Sequence, residues 1–221
     1  MGGPCTGSCI SEDFASWGPY GKRIAFQRSI GTPGVHNIFL FTMRADGTHL
    51  RQITQRRADP TVFQPLKDLS PQWSPSAKRL VFQRYDETTD RNAIFTVRLD
   101  GTSLRRITRW RLDAGQPDWS PNGRWISFKS QWEGRRQNNM WVVHPNGTDL
   151  HRITHTFGGT YTWLTHSFSP DGKFITVART PGHGKAGNAD VYVMKVDGTG
   201  LRNVTRSIKW DSIPDWGPRP R

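Results

Sequence analysis

Three things are scarce in this chain, and each shortage removes a class of protein. Its 221 residues hold 2 cysteines, Cys5 and Cys9, both in the opening segment. That is too few for a disulfide-stapled scaffold or a four-cysteine zinc module, and the pair reads as two ordinary thiols or one local disulfide. A chain of this length can bury enough apolar surface to fold without a staple. Long apolar runs are also missing: nothing approaches the roughly 18 residues of a membrane-spanning helix. The start, MGGPCTGSCI, has neither the charged nor the apolar region of a secretory leader. Acidic residues are short as well, 18 Asp and Glu against 31 Lys and Arg, for a formal net charge of +13. Such an excess raises the question of nucleic acid or an anionic surface, because lysine and arginine gain affinity by displacing counterions from phosphates.

Turn formers and large aromatics are plentiful: 22 Gly, 15 Pro, 10 Trp and 11 Phe. Many short, half-buried strands joined by tight turns need this mixture, so the composition predicts an all-β chain. Internal repetition makes the reading specific. FASWGPYGKRIAFQR begins at Phe14, SPQWSPSAKRLVFQR at Ser70, QPDWSPNGRWISFKS at Gln116 and THSFSPDGKFITVAR at Thr165, and a further copy opens as IPDWGP at Ile213. The marker aromatics Trp17, Trp73, Trp119, Phe168 and Trp216 lie 56, 46, 49 and 48 residues apart. Each copy continues into a second half, for example AIFTVRLDGTSLRRIT or DVYVMKVDGTGLRNVT. A period in the high forties with four short apolar runs and no helical periodicity matches one four-stranded propeller blade.

Within a blade the marker aromatic ends an inner strand. Ser-Pro-Asn-Gly at 120–123 or Ser-Pro-Asp-Gly at 169–172 makes the turn, and a second strand such as Ile24, Ala25, Phe26 follows. The third strand turns at Asp-Gly-Thr into a short outer strand of the form Leu-x-x-Ile/Val-Thr. The predicted domain organisation is an N-terminal extension at 1–13 and a β-propeller over 14–221. Its blades lie near 14–54, 70–108, 116–154 and 165–205, with a partial fifth at 213–221.

The W-S-P-D-G, I-x-F, V-Y-V-M-x-x-D-G-T and L-x-x-I-T elements resemble the repeat of TolB-like propellers, and the resemblance runs from Phe14 to Pro218. It implies a periplasmic or extracellular protein that binds a protein partner or a ligand without catalysis. Two alternatives stand beside it: the propeller portion of a carbohydrate-active or peptidase system, and a basic anion or nucleic-acid binder. Fold alone does not choose among them.

Position tells what the basic residues do. Arg51, Arg105, Arg106, Arg152 and Arg202 fall in the outer strand, and Arg56, Arg57, Arg109, Arg111 and Arg206 just after it. Long charged side chains on an unpaired edge block edge-to-edge aggregation, so a nucleic-acid partner is not expected. Asp13, Asp68, Asp113 and Asp211 recur four to six residues ahead of a marker tryptophan. In a propeller this places them at a channel mouth, where they would hold a small ligand, a cation or a basic group; the alternative is that each caps a turn. Arg28, Arg84 and Arg179, each ending a second strand, are candidates to pair with these acids.

The Asp-Gly-Thr corners at Asp46, Asp100 and Asp197, with Asn146 as the variant, have a turn explanation that needs no calcium. No G-x-S-x-G nucleophile motif occurs, and the spacing of His151, His155 and His166 fits no short metal motif. The sequence therefore predicts neither catalytic residues nor a cofactor. The marker aromatics are expected to be buried between blades. Both ends of the chain read as cuts through a longer array; the alternative is that the chain buries its open blade edges by closing on itself as a small propeller or by self-association with a second copy.

Overall fold

In the computed structural model the described residues are 9–32, 35–55, 66–130, 138–156, 161–181 and 187–216. Cys5, the Cys9 side chain, Arg56 and Arg57 lie outside this description. The chain divides into two compact units, Met1–Trp110 and Arg111–Arg221, and a short 3₁₀ turn at Trp110–Leu112 falls on the division. Each unit holds two antiparallel four-stranded sheets with strands in sequence order. These are the blades expected from the repeat.

Blade 1 is β1 (Cys9–Trp17), β2 (Arg23–Thr32), β3 (Val35–Arg44) and β4 (Arg51–Gln52), and blade 2 is β5 (Leu66–Trp73), β6 (Arg79–Asp86), β7 (Arg91–Arg98) and β8 (Arg105–Arg106). Blade 3 comprises β9 (Ala114–Trp119), β10 (Ile126–Ser130), β11 (Asn139–Val143) and β12 (His151–Arg152). Blade 4 comprises β13 (Tyr161–Phe168), β14 (Phe174–Pro181), β15 (Asp190–Lys195) and β16 (Arg202–Asn203). The first inner strand starts at Cys9 rather than Phe14, so Cys9–Asp13 pairs with β2 instead of standing apart as an extension.

The repeated residues each have a mechanical task. In the turn after the inner strand, the Ser74, Ser120 and Ser169 hydroxyls accept from the backbone N–H of Arg79, Trp125 and Phe174 at 3.0, 2.8 and 3.0 Å. At the next corner, Oδ1 of Asp46, Asp100, Asn146 and Asp197 accepts both the N–H and the hydroxyl of the threonine two residues on. These bonds hold Asp46, Asp100 and Asp197 below the usual carboxylate range. The glycine that follows takes φ of 83–85° at 47, 101, 147 and 198, a left-handed conformation that glycine adopts without steric cost. The last threonine of the motif also works: Thr54, Thr108 and Thr154 accept the third-strand N–H of Leu40, Ile94 and Met140 at 2.9 Å.

Each inner strand is bulged, with register shifts at Asp13/Ser16, Leu69/Gln72 and Trp163/His166 and positive φ at Phe14, Ser70 and Gln116. Pro71 and Pro117 sit beside these left-handed residues, where no ladder hydrogen bond is required of them.

In unit 1 the core joins Ala25 and Leu40 of blade 1 to Trp73, Leu80, Phe82 and Phe95 of blade 2. Trp73 donates from Nε1 to the Ser16 carbonyl at 3.1 Å, and its indole lies so close to Gly18 that a Cβ there would be 3.5 Å away. Trp73, Trp119 and Phe168 are buried as expected, whereas Trp17 is 62 % exposed. The expectation for Trp17 is thus corrected. Blade 2 covers the other face of blade 1, and no described strand offers Trp17 the seat that Ser16 and Gly18 offer Trp73. Trp216 is half-buried and repeats the Trp73 bond by donating to the Ser167 carbonyl at 3.2 Å.

Candidate functional site

The recurrent charged residues gather along the inner strands, and the two units handle them differently. In unit 1, Asp68 and Arg84 are cross-strand partners on β5 and β6. Arg84 donates Nε to Oδ1 at 2.6 Å and Nη2 to Oδ2 at 2.8 Å, and both residues are buried. This two-pronged geometry suits the planar guanidinium. The same arginine lies over the stacked rings of Phe82 and Phe95, 5.4 and 4.9 Å from their centroids. Arg28 repeats the arrangement over Phe26 and Phe41, but the acid it meets is Glu12, which is more exposed.

Register explains the substitution of Glu12 for Asp13. Glu12 pairs with Arg28 as Asp68 pairs with Arg84, while Asp13 stands opposite Gln27 and is exposed. A shift of one residue along a strand moves a side chain to the other face. Asp113 has positive φ and precedes the first residue of β9. Asp211 lies two residues before Ile213, whose positive φ matches that of Ser70, so Asp211 is the positional counterpart of Asp68. It is half-buried, and its backbone N–H donates to Ala189. The four acids of the repeat pattern thus occupy three different positions of the blade. Of these, the Asp68 carboxylate meets one of the three recurrent arginines, Arg84.

In unit 2 the position of Asp68 is filled by Trp163, the cross-strand partner of Arg179. Arg179 makes no salt bridge with a described carboxylate, although Asp190 is its cross-strand partner on β15 and is lowered by the Ser207 N–H and by the Arg179 charge. Its guanidinium lies 4.0 Å from the ring centroids of both Tyr161 and Tyr192 and 5.5 Å from that of Trp163. Cation–π attraction stands in for the ion pair. Asn138 grips the Trp163 backbone from both sides, donating to its carbonyl at 2.6 Å and accepting its N–H at 2.7 Å. Blade 3 has Ser130 in place of the arginine, with its hydroxyl donating to the Leu112 carbonyl.

Three further residues of unit 2 complete the inner-strand chemistry. Asp118, one residue ahead of Trp119, accepts the Phe168 and Trp119 N–H groups at 2.8 Å each. Burial pushes its carboxyl up to about 6 against those two bonds. His166 has Nε2 2.9 Å from the Ser127 hydroxyl, and burial with the nearby Lys129 charge lowers its ring to about 4. Burial also lowers Lys129. The sequence carries a signal for Lys129: the second strands read FQR, FQR, FKS and VAR, so a lysine replaces glutamine in the third copy. Asp118 is likewise marked by the repeated P-D-W of copies three and five.

The other candidates lie apart from these. Arg51, Arg105, Arg106, Arg109, Arg111, Arg202 and Arg206 are exposed and Arg152 half-exposed, as edge protection requires. His151 is beside Asp149 and edge-on to Trp125, and His155 is exposed. Among the described residues no group of three or more His, Cys, Asp or Glu is placed to hold a metal, and no helix is long and apolar enough to cross a membrane.

Comparison with known proteins agrees with this architecture. A putative TolB from Agrobacterium tumefaciens superposes with a TM-score of 0.64 at 17 % identity, over 89 % of this chain and 80 % of that one. TolB from Acinetobacter baumannii gives 0.64 at 19 % identity, over 89 % of this chain but 43 % of that one. Puromycin hydrolase gives 0.63 at 15 % identity, over 95 % of this chain and 34 % of that one. These likenesses show the fold, and the chain spans less than half of the last two proteins. None of the curated proteins matches it. The TolB beta propeller domain matches residues 60–218, and the chain belongs to that family.

Proposed function

We propose that the chain is a non-catalytic binding scaffold of the TolB-like class, working on a protein partner in a periplasmic or extracellular setting. The supporting observation is the first blade, where Phe14, Trp17 and Tyr20 are 62, 62 and 69 % exposed. Exposed aromatics grouped on one strand and its turn mark an interaction surface. The counterpart of Trp17 supports a chemistry for it: Trp73 sits on a glycine and donates to a backbone carbonyl. The partner that fits Trp17 is therefore a polypeptide presenting a small-residue backbone edge.

A photo-crosslinking residue at position 17 tests this. Crosslinks to one defined polypeptide, or to a second copy, at a yield well above that from position 105 support the reading. Equal yields at 17 and 105 would sink it. Turnover of peptide or polygalacturonate substrates, lost on chelation or not, would overturn the non-catalytic part and favour the portion of a peptidase or carbohydrate-active system.

A further inference from the structure

The seam between blades 3 and 4 contains buried polar side-chain atoms that have no hydrogen-bond partner. Blades 1 and 2 show the ordinary arrangement. Gln27 stands on β2 opposite Asp13, and its Oε1 accepts the backbone N–H of Ser70, the bulge residue of the next inner strand, at 3.0 Å. Lys129 holds the position of Gln27 in blade 3, opposite Gly115, and Thr165 holds the position of Ser70 in the bulge between Trp163 and His166. A lysine has no acceptor to offer.

Side chains of this bulge lack partners as well. Thr165 Oγ1 and His166 Nδ1 are both shut off from solvent and neither has a hydrogen-bond partner. Buried polar atoms normally find partners, so two adjacent orphans call for an explanation. Ser127 and Lys129 are two residues apart on β10 and share one face. The His166–Ser127 bond at 2.9 Å therefore fixes His166 on the side of the strand from which Lys129 projects. Lys129 is half-buried, influences the His166 ring electrostatically, and makes no ion pair with a described residue. A cation in such a place lacks the counter-charge that usually accompanies burial.

We propose that Lys129, Thr165 and His166 form a subsite for an oxyanion group, phosphate or carboxylate. The Lys129 ammonium supplies the charge and the Thr165 hydroxyl one hydrogen bond. The His166 ring gives a second in the tautomer that carries its proton on Nδ1, in which Nε2 accepts from the Ser127 hydroxyl. The ligand restores the acceptor that Gln27 provides in blade 1. This subsite is independent of the aromatic surface on the first blade.

The test uses the full chain at constant ionic strength, titrated with inorganic phosphate and separately with acetate. Melting temperature and the ¹⁵N shifts of the His166 ring are the readouts. A saturable rise in melting temperature is expected, with a ring signature of the Nδ1–H tautomer. Lys129→Gln, which installs the residue of blades 1 and 2, should weaken the anion at least tenfold. Thr165→Val should weaken it several-fold, and the exposed Lys173→Gln should leave it unchanged. Saturation by phosphate alone identifies a phosphoryl ligand, and by acetate alone a carboxylate; either supports the subsite. No saturable response to either anion, or a response that Lys129→Gln retains in full, would overturn it.

Discussion

Two seams built from the same repeat solve the same problem with different chemistry. In blades 1 and 2 the repeat's polar groups meet complementary ones: Asp68 with Arg84, Glu12 with Arg28, Gln27 with the Ser70 N–H, and Trp73 with the Ser16 carbonyl. In blade 4 aromatic rings surround Arg179 and Trp163 takes the place of Asp68, and in blade 3 a lysine replaces the glutamine. The first seam is closed in both charge and hydrogen bonding. In the second an apolar core still joins the two blades, but polar atoms and a cation are left over. A blade tolerates this exchange because its core is supplied by other residues, such as Phe168, Ile175, Val177 and Met194.

The largest effects should come from the closed seam. Asp68→Asn or Arg84→Ala leaves a buried charge unpaired and should cost about 3–5 kcal/mol in denaturant unfolding. Arg28→Ala should cost far less, because Glu12 is already in contact with water. Trp73→Ala should also lose about 3–5 kcal/mol, as large aromatic truncations in cores do, with Trp17→Ala close to a surface control. Equal losses at 73 and 17 would break the contrast between a covered and an open blade face.

A smaller difference is expected at the glycine corners. Gly47→Ala meets open space, so its cost is left-handed strain alone, about 1–2 kcal/mol. Gly198→Ala should cost more, because a Cβ there would lie 1.8 Å from the Ile153 carbonyl oxygen. Thermal melts of the two variants compare them directly.

The subtlest prediction concerns pH and belongs to the open seam. His166 falls from 6.5 to about 4 on folding, so the stability it contributes is full above 6.5 and lost as pH drops toward 4. Asp118 rises from 3.8 to about 6, so its effect is opposite: stability falls as pH climbs through that range. The two oppose each other between pH 4 and 6. His166→Gln should therefore become less stable as pH rises from 4.5 to 6, and Asp118→Asn more stable. Urea midpoints at both pH values check this, and parallel slopes in the two variants would contradict it.

Much of the fold was legible because turn and corner residues act locally. Ser-Pro-x-Gly, Asp-Gly-Thr and the closing threonine each satisfy backbone groups within a few residues or on the adjacent strand, so their spacing reports the blade directly. What escaped depends on register and neighbours. Asp13 and Glu12 are adjacent in sequence, and only the bulge decides which of them meets Arg28. Trp17 carries the same motif as Trp73, and nothing within the motif states whether a blade lies beyond it. The exchange of Gln27 for Lys129 was visible as FQR against FKS, but its meaning required knowing that this position reaches the next strand's bulge.

The glycine corners have a directional consequence. Gly101 and Gly198 approach the Ile53 and Ile153 carbonyls just after the outer strand of the blade before them, as Trp73 reaches back to Ser16 and Trp216 to Ser167. Within each unit the later blade thus presents a reaching side and the earlier one a receiving side, and the two are chemically unlike. Contacts made through these faces are heterologous, so copies joined by them follow one another in a ring or an open row and do not face each other as a two-fold pair.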